Sequence, residues 1–558
     1  MTRSSTSPFA LAFSCALLLL SGALRAQETV VEAVAADPIA NLIPADAAVV
    51  IRIAPLGELE GKIKKLVASI DKDFAEMIDA SALLQEMGFE AELDRSKPMA
   101  LSLRLAEDDP TSPPTITMIL AIKDPAALSE MLTGNIASEP VVRGSYIAFS
   151  PDGPYAPGEG KSRLVKRMGN RDISVVADLN LLATTFKPFM EMGLASFEQE
   201  ALPGLEMAMG PDGAKMVMGW VETAEAFVEA LDTFDLHFLT DGNDVELQVG
   251  MDTKSGSRFS KMTWSDQANL GKVARGLPAG HPVAILMSMD FEAMTAQFMD
   301  LMKQLGESMG EEDLAMTLRM MEKSKEAIKL YGRDVAMTMG FGKGGIEFAQ
   351  AMSTKGDAEK MAAEWRSLYA DPLWKDMGVD VDFGETKALE GASISPMKMR
   401  MDMKKLIGDQ ELPEEVQGMI SEMMAKVFGG KSGEIHGHLL TKADTLSFGL
   451  GSEAGLKECA DQFVQGASAN RHVAYGLKKA GKNAAMMMTM DLREVLRQAR
   501  VAAEAFEAAD GFPRIGAGNS VPIAVYAGAS GTRISMGMAT LMDDLAPIVR
   551  QLMRGSRR

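Results

Sequence analysis

The chain has 558 residues, 47% of them hydrophobic and 24% charged, which is enough for two to four domains or one long repeat array, with ample material for a core. Its formal net charge of −20 argues against nucleic acid or an anionic membrane surface as partner. Met is abundant at 44 and Cys scarce at 2, so a disulfide-stapled scaffold is excluded.

Residues 1–26 read as a cleaved signal peptide. Arg3 supplies the positive start, Phe9 to Leu20 is apolar apart from Ser14, and small residues offer cleavage after Ala23 or Ala26. The apolar run is too short to span a bilayer, and no later stretch qualifies. Cys15 lies within it, but AFS before it makes a poor lipoprotein box. Loss of Arg3 and Arg25 with no acid takes −20 to −22. Cys459 then remains alone, so no intrachain disulfide forms. The expectation is an exported protein, periplasmic or extracellular, of a bacterium with an outer membrane.

Five stretches share a phrase: AVVIRIAPLGELEGKI from Ala48, DISVVADLNLLATTF from Asp172, VAILMSMDFEAMTAQF from Val283, SPMKMRMDMKKLI from Ser395 and AAMMMTMDLREVLRQA from Ala484. Each is a short apolar strand followed by a helical pattern, with Asp178, Asp290, Asp402 and Asp491 at the junction. The spacings are 112 (290 − 178), 112 (402 − 290) and 89 (491 − 402). In the first copy Ala54-Pro55 stands there instead, and Pro suits a first helical position.

A β-hairpin follows each phrase, in the pairs PMALSLRL/TITMILAI, FDLHFLT/DVELQVGM, VAMTMGF/IEFAQAM, EIHGHLL/TLSFGLG and PIAVYAG/RISMGMA. A further helix comes next, as in DPAALSEML or SEAGLKECADQF. The pattern predicts an α+β protein of about five divergent β-α-(α)-β-β-α units, ferredoxin-like in order, with antiparallel sheets and helices packed on one face. It divides into repeat units one and two over 27–275, three and four over 276–475, and the fifth over 476–558. Extra strands are expected at VVRGSYIAFSP and DVDFGETKALEGASIS, and an exposed loop at PDGPYAPGEGK, residues 151–161.

The four Asp residues sit where a helix N-cap belongs, which explains them without chemistry. Met397, Met399, Met401 and Met403 alternate along one strand, and Met486, Met487, Met488 and Met490 recur in another. Thioethers bind soft metals such as Cu(I), but Val and Ile fill the same slot in other copies, which favours core packing. His436 and His438, with Glu434, share a strand face and form the chain's H-x-H. A metal site there needs further ligands, from among His237, His281 and His472. GFGKGG at 340–345 matches G-x-G-x-x-G, yet a strand follows it where a dinucleotide site needs a helix. Ser69-Ile70-Asp71-Lys72 has S-x-x-K spacing without companion motifs. Cys459 reads as a quiet core thiol. No catalytic residue and no cofactor emerge.

IPADAAVVIRIAPLGELEGKIKKL, LDTFDLHFLTDGNDVELQVGM and GLPAGHPVAILMSMDFEAM resemble phrases of large uncharacterised exported bacterial proteins, in which a Leu-Pro-Ala-Asp–strand–helix opening is common. Here it reads Ile43-Pro44-Ala45-Asp46. The resemblance implies an envelope protein and carries over no catalytic residue. The leading expectation is a non-enzymatic protein that binds or scaffolds a protein, peptide or lipid-like partner. A periplasmic soft-metal binder using the Met strands is the alternative, and an enzyme of unrecognised type comes third.

Overall fold

The computed structural model describes residues 38–555, apart from 79–92, 107–111, 134–138, 152–154, 156–161, 258–259, 261–267, 297–298, 300–310, 343–344, 377, 403–433, 467–469, 482–483 and 506–513. It is a mixed helix-and-strand protein whose described strand pairs are all antiparallel. The chain forms two compact units. The N unit holds residues 25–262 together with 529–550, and the C unit holds 263–528 and the chain's last residues. The fifth phrase is therefore divided, its final strand belonging to the N unit.

The N unit contains β1 (Val49–Ile53), β2 (Met99–Arg104), β3 (Thr115–Ala121), β4 (Val141–Arg143), β5 (Tyr146–Phe149), β6 (Ile173–Asp178), β7 (Leu231–Asp241), β8 (Asp244–Thr253) and β19 (Arg533–Leu541). Their lateral order is β4-β5-β3-β2-β1-β6-β7-β8-β19. The C unit contains β9 (Val283–Ser288), β10 (Tyr331–Gly342), β11 (Gly345–Thr354), β12 (Val379–Phe383), β13 (Lys387–Leu389), β14 (Ala392–Met401), β15 (Glu434–Lys442), β16 (Thr445–Leu450), β17 (Met486–Asp491) and β18 (Pro522–Ser530). Their order is β18-β17-β9-β10-β11-β16-β15-β14, with β12 and β13 end to end along the outer edge of β14.

Four of the five phrase strands meet in pairs, β1 with β6 and β9 with β17, while β14 of the fourth lies beside β15, β12 and β13. Each also neighbours the next hairpin of its own stretch: β1 pairs β2, β6 pairs β7 and β9 pairs β10. This differs from the ferredoxin-like expectation. In a split β-α-β a single helix joins two parallel strands with a third between them. Between β6 and β7 the chain instead runs helically from Leu179 through a π-turn at Phe197–Ala201, breaks at Gly210 (φ 78°) and continues helically to Ala230, so it returns antiparallel and pairs directly. The extra strands lie at sheet margins, β4 and β5 beyond β3, β12 and β13 beyond β14. Short strands carrying charges such as Arg143, Asp380 and Asp382 blunt an edge against further pairing.

Helices pack on both faces of the sheets, not on one. In the C unit Leu286, Ala336 and Ala351 share a core with Leu270, Val273 and Val473, from helices Leu270–Ala274 and Arg471–Ala480. Their strand neighbours Val335 and Met352 turn the other way, onto Ala327, Met361 and Trp365 of helices Glu311–Leu330 and Ala358–Tyr369. In the N unit Ile119, Ala121 and Ala148 meet Leu42, Leu164 and Met168, while Leu120, Ile122, Ile147 and Phe149 meet Leu128 and Leu132. Strands covered on both sides read as continuous apolar runs, which is why TITMILAI and YIAF scarcely alternate. The stretch 151–161, expected as an exposed loop, contains Tyr155, which is buried and donates its hydroxyl to the Leu42 carbonyl at 3.0 Å.

Close approach of helix Arg471–Ala480 to β17 depends on Gly476. A Cβ there would lie 2.7 Å from Met487 Sδ and overlap the Thr489 methyl. Gly476→Ala gains helix propensity of about 1 kcal/mol but overpacks a closed core, so a net loss of about 1–2 kcal/mol is expected in denaturant unfolding. A stabilised variant would show that the helix can move away from the sheet.

Candidate functional site

Three of the repeated Asp residues act as helix caps. Asp178 Oδ1 accepts from Leu181 N at 2.8 Å, Asp290 Oδ1 from Ala293 N at 3.1 Å, and Asp491 Oδ1 from Arg493 N at 3.1 Å. Asp402 is exposed, and the residues after it lie outside those described. Of GFGKGG, Gly340 to Gly342 end β10 and Gly345 begins β11, Gly342 opposite Gly345, with Gly345 at φ 108° where a side chain is disfavoured. Cys459 is buried, and burial pushes its thiol up to about 12, so it is inert.

The methionines of β14 divide from the histidines of β15. Met397 lies opposite Gly437 and Met399 opposite Ile435, whereas His436 lies opposite Lys398 and His438 opposite Pro396. Directly opposed residues share a face, so thioethers and imidazoles point to opposite sides of the sheet. Met397 is buried with its Cε over Gly437, and Met399 and Met401 are half-buried. Met403 lies outside the described residues. His436 is exposed, while His438 is buried, its Nε2 without a hydrogen-bond partner among the described residues. Among the described residues no three of His, Cys, Asp and Glu are grouped to hold a metal.

His237 and His281, named above only as possible ligands for a distant site, each centre a buried polar network with carboxylates and hydroxyls that no motif marks. In the N unit Asp235 is 1% exposed on β7; its Oδ2 accepts from Arg533 Nη2 at 2.8 Å and lies 3.2 Å from His237 Nε2. His237 Nδ1 is 3.0 Å from Ser174 Oγ, which donates to the Met168 carbonyl at 2.6 Å. Asp252, opposite Thr233 and two register pairs along, takes Thr233 Oγ1 at 2.5 Å, Arg167 at 2.9 Å and Arg533 Nη1 at 3.4 Å. Burial pushes the Asp235 carboxyl up, but the His237 hydrogen bond and the Arg533 charge outweigh it and hold it below its ordinary range.

The C unit repeats the theme. His281 Nδ1 is 2.9 Å from Thr338 Oγ1, its Nε2 is 3.7 Å from Glu347 Oε2, and Ser452 donates to Glu347 Oε1 at 2.6 Å. Its His281 contact holds the Glu347 carboxyl below the usual range, against burial. The order hydroxyl–imidazole–carboxylate is that of a nucleophilic triad. Here Ser174 is 0% and Thr338 2% exposed, so neither hydroxyl meets a substrate. Both networks link polar groups buried across adjacent strands, and among the described residues Asp235 Oδ1 and Asp252 Oδ1 accept no hydrogen bond. Their trace in the sequence is a polar alternation, Thr233-x-Asp235-x-His237, which reads as a solvent face until its covering is known.

An exposed feature lies on the helix Leu179–Ser196, which has no buried residue. Leu179, Leu182, Ala183, Phe186, Phe189 and Met190 follow the spacing of one helical face. The first three are half-buried where the helix packs against β7; Phe186 (38%), Phe189 (42%) and Met190 (41%) run out into solvent. The two phenyl rings touch at 6.3 Å between centroids. Past a π-turn at Phe197–Ala201, Met207 is 86% exposed, and Glu191, Glu198, Glu200 and Glu206 are exposed along the same stretch. Lys187 is shared between Glu191 at 3.8 Å and Glu229 at 3.6 Å.

No family model matches the chain, and no curated protein matches it. Among solved structures, two crystal forms of TP0453 are similar to part of it. Form IV shows 9% identity over 52% of this chain and 98% of that chain, with a TM-score of 0.22. Form III shows 8% identity over 51% and 98%, with a TM-score of 0.21. Likeness at that level carries nothing about fold or function. Among the described residues no helix is long and apolar enough to cross a membrane.

Proposed function

We propose that this chain is an exported, non-catalytic binding protein of the bacterial envelope, built from five divergent copies of a strand, a helical excursion and a hairpin. Residues 1–26, with the pattern of a cleaved signal, support export. The recurrence of strand, helices and hairpin after each phrase supports the duplication. The binding surface in this reading is the helix Leu179–Ser196, and the carrying observation is its apolar stripe continuing past the sheet that covers its beginning. Exposed Phe and Met in one stripe mark an interaction face, and Met adapts to varied partners. The surrounding glutamates disfavour anionic lipid headgroups and favour a basic, apolar segment of another protein.

The reading is tested with a fluorescent helical peptide of alternating Lys and Leu faces, set beside anionic vesicles. Saturable peptide binding is expected, weakened at least about tenfold in F186S/F189S, since each ring contributes about 1–2 kcal/mol on burial. Circular dichroism should stay unchanged. Absence of peptide binding, binding indifferent to both rings, or preference for the vesicles would overturn it.

A further inference from the structure

The N unit is made from two pieces of chain that are far apart in sequence, 25–262 and 529–550. The second piece supplies β19, whose nine residues all pair with β8. It is fastened at both ends. Thr253 N and Oγ1 donate to the Thr532 carbonyl at 2.9 and 3.1 Å, and Met542 N donates to the Asn243 carbonyl at 2.9 Å. Ile534, Ala539, Ala546 and Ile548 of this piece are buried.

Arg533 is the first residue of β19 and reaches the two most deeply buried carboxylates of β7 and β8. It pairs with Asp235 at 2.7 Å and Asp252 at 3.4 Å. Before β19 docks, Asp235 keeps His237, and Asp252 keeps Arg167 and Thr233. Two acidic groups then share a low-dielectric face with one arginine, beside a long open strand edge. Burying an undercompensated carboxylate is costly, so the face stays wet and the strands loose.

We propose that β19 with Arg533 is a closing latch: the β7–β8 part of the N unit stays open until β19, 281 residues on from Asp252 to Arg533, arrives to close it. The topology makes β19, distant in sequence, the lateral neighbour of β8, and the carboxylates make its arginine the condition for closing. Gly250 lies beneath the Asp235–Arg533 pair and leaves the room for it.

The test compares full-length wild type with R533M, R533K and R533M/D235N by amide exchange. In R533M, peptides from β7, β8 and β19 should exchange at least about tenfold faster, while β15 and β16 stay unchanged. R533M/D235N should recover most of the protection, because the lost cation no longer leaves Asp235 unpaired. R533K should recover less, since an ammonium cannot fork between two carboxylates. Pulse labelling during wild-type refolding should show β8 gaining protection no earlier than β19. Unchanged exchange in R533M, equal loosening of β15 and β16, failure of D235N to compensate, or β8 protected before β19 would each overturn the latch.

Discussion

Gly250→Val is expected to destabilise the N unit by about 3–5 kcal/mol, the range found when a buried ion pair is broken from one side. Gly250 on β8 lies opposite Asp235 on β7 and Ser535 on β19. The Arg533 guanidinium and the Asp235 carboxylate meet directly over its Cα, where any Cβ would overlap both. The backbone is tied into ladders on both sides and cannot retreat, so the ion pair must open. Asp235, 1% exposed, then keeps only His237. Denaturant unfolding followed by exchange at β7 and β8 reads the effect. A midpoint equal to wild type would mean that the pair contributes little or reforms elsewhere.

The second large effect is pH dependence confined to the C unit. His438 and His472 are each 3% exposed, with Nε2 lacking a hydrogen-bond partner among the described residues. Burial pushes both down to about 4 from 6.5, the Asp491 charge opposing this slightly at His472. Both are therefore neutral in the fold, while the unfolded chain takes up protons below pH 6.5. Their contribution is fully present above that pH and is lost as pH falls toward 4. Each shift corresponds to about 3 kcal/mol. Asp235, held below its ordinary value, has the other window: its contribution persists above about pH 3.8 and is lost only as pH falls further. Unfolding at pH 7.5 and 4.5 separates the two groups. The C unit should weaken and the N unit should not, and H438Q/H472Q should flatten the difference. Equal stability at both values would show that these rings find water or partners on protonation.

Much of the architecture was written locally. FDLHFLT and DVELQVGM around DGN became β7 and β8, and VAMTMGF and IEFAQAM became β10 and β11. Such hairpins depend on contacts a few residues apart and on glycines that accept positive φ, as Gly242 and Gly345 do. The junction aspartates could be recognised as caps because a cap bonds to amides two or three residues on. The answer for the β14 methionines came partly from register: only the pairing of Met397 with Gly437 and Lys398 with His436 places thioethers and imidazoles on opposite faces.

What the sequence by itself determined is the alternation of strands, helices and hairpins, and the capping role of Asp178, Asp290 and Asp491. All of these are set by interactions within a few residues. Only the tertiary structure decided which strands are neighbours, that helices cover both sheet faces, and that Asp235, Asp252 and His237 are buried against an arginine nearly 300 residues away. The physical reason is that a side chain's solvation depends on what covers it. Thr233-x-Asp235-x-His237 alternates identically whether it faces water or a core, and the partner that makes its burial tolerable lies near the far end of the chain.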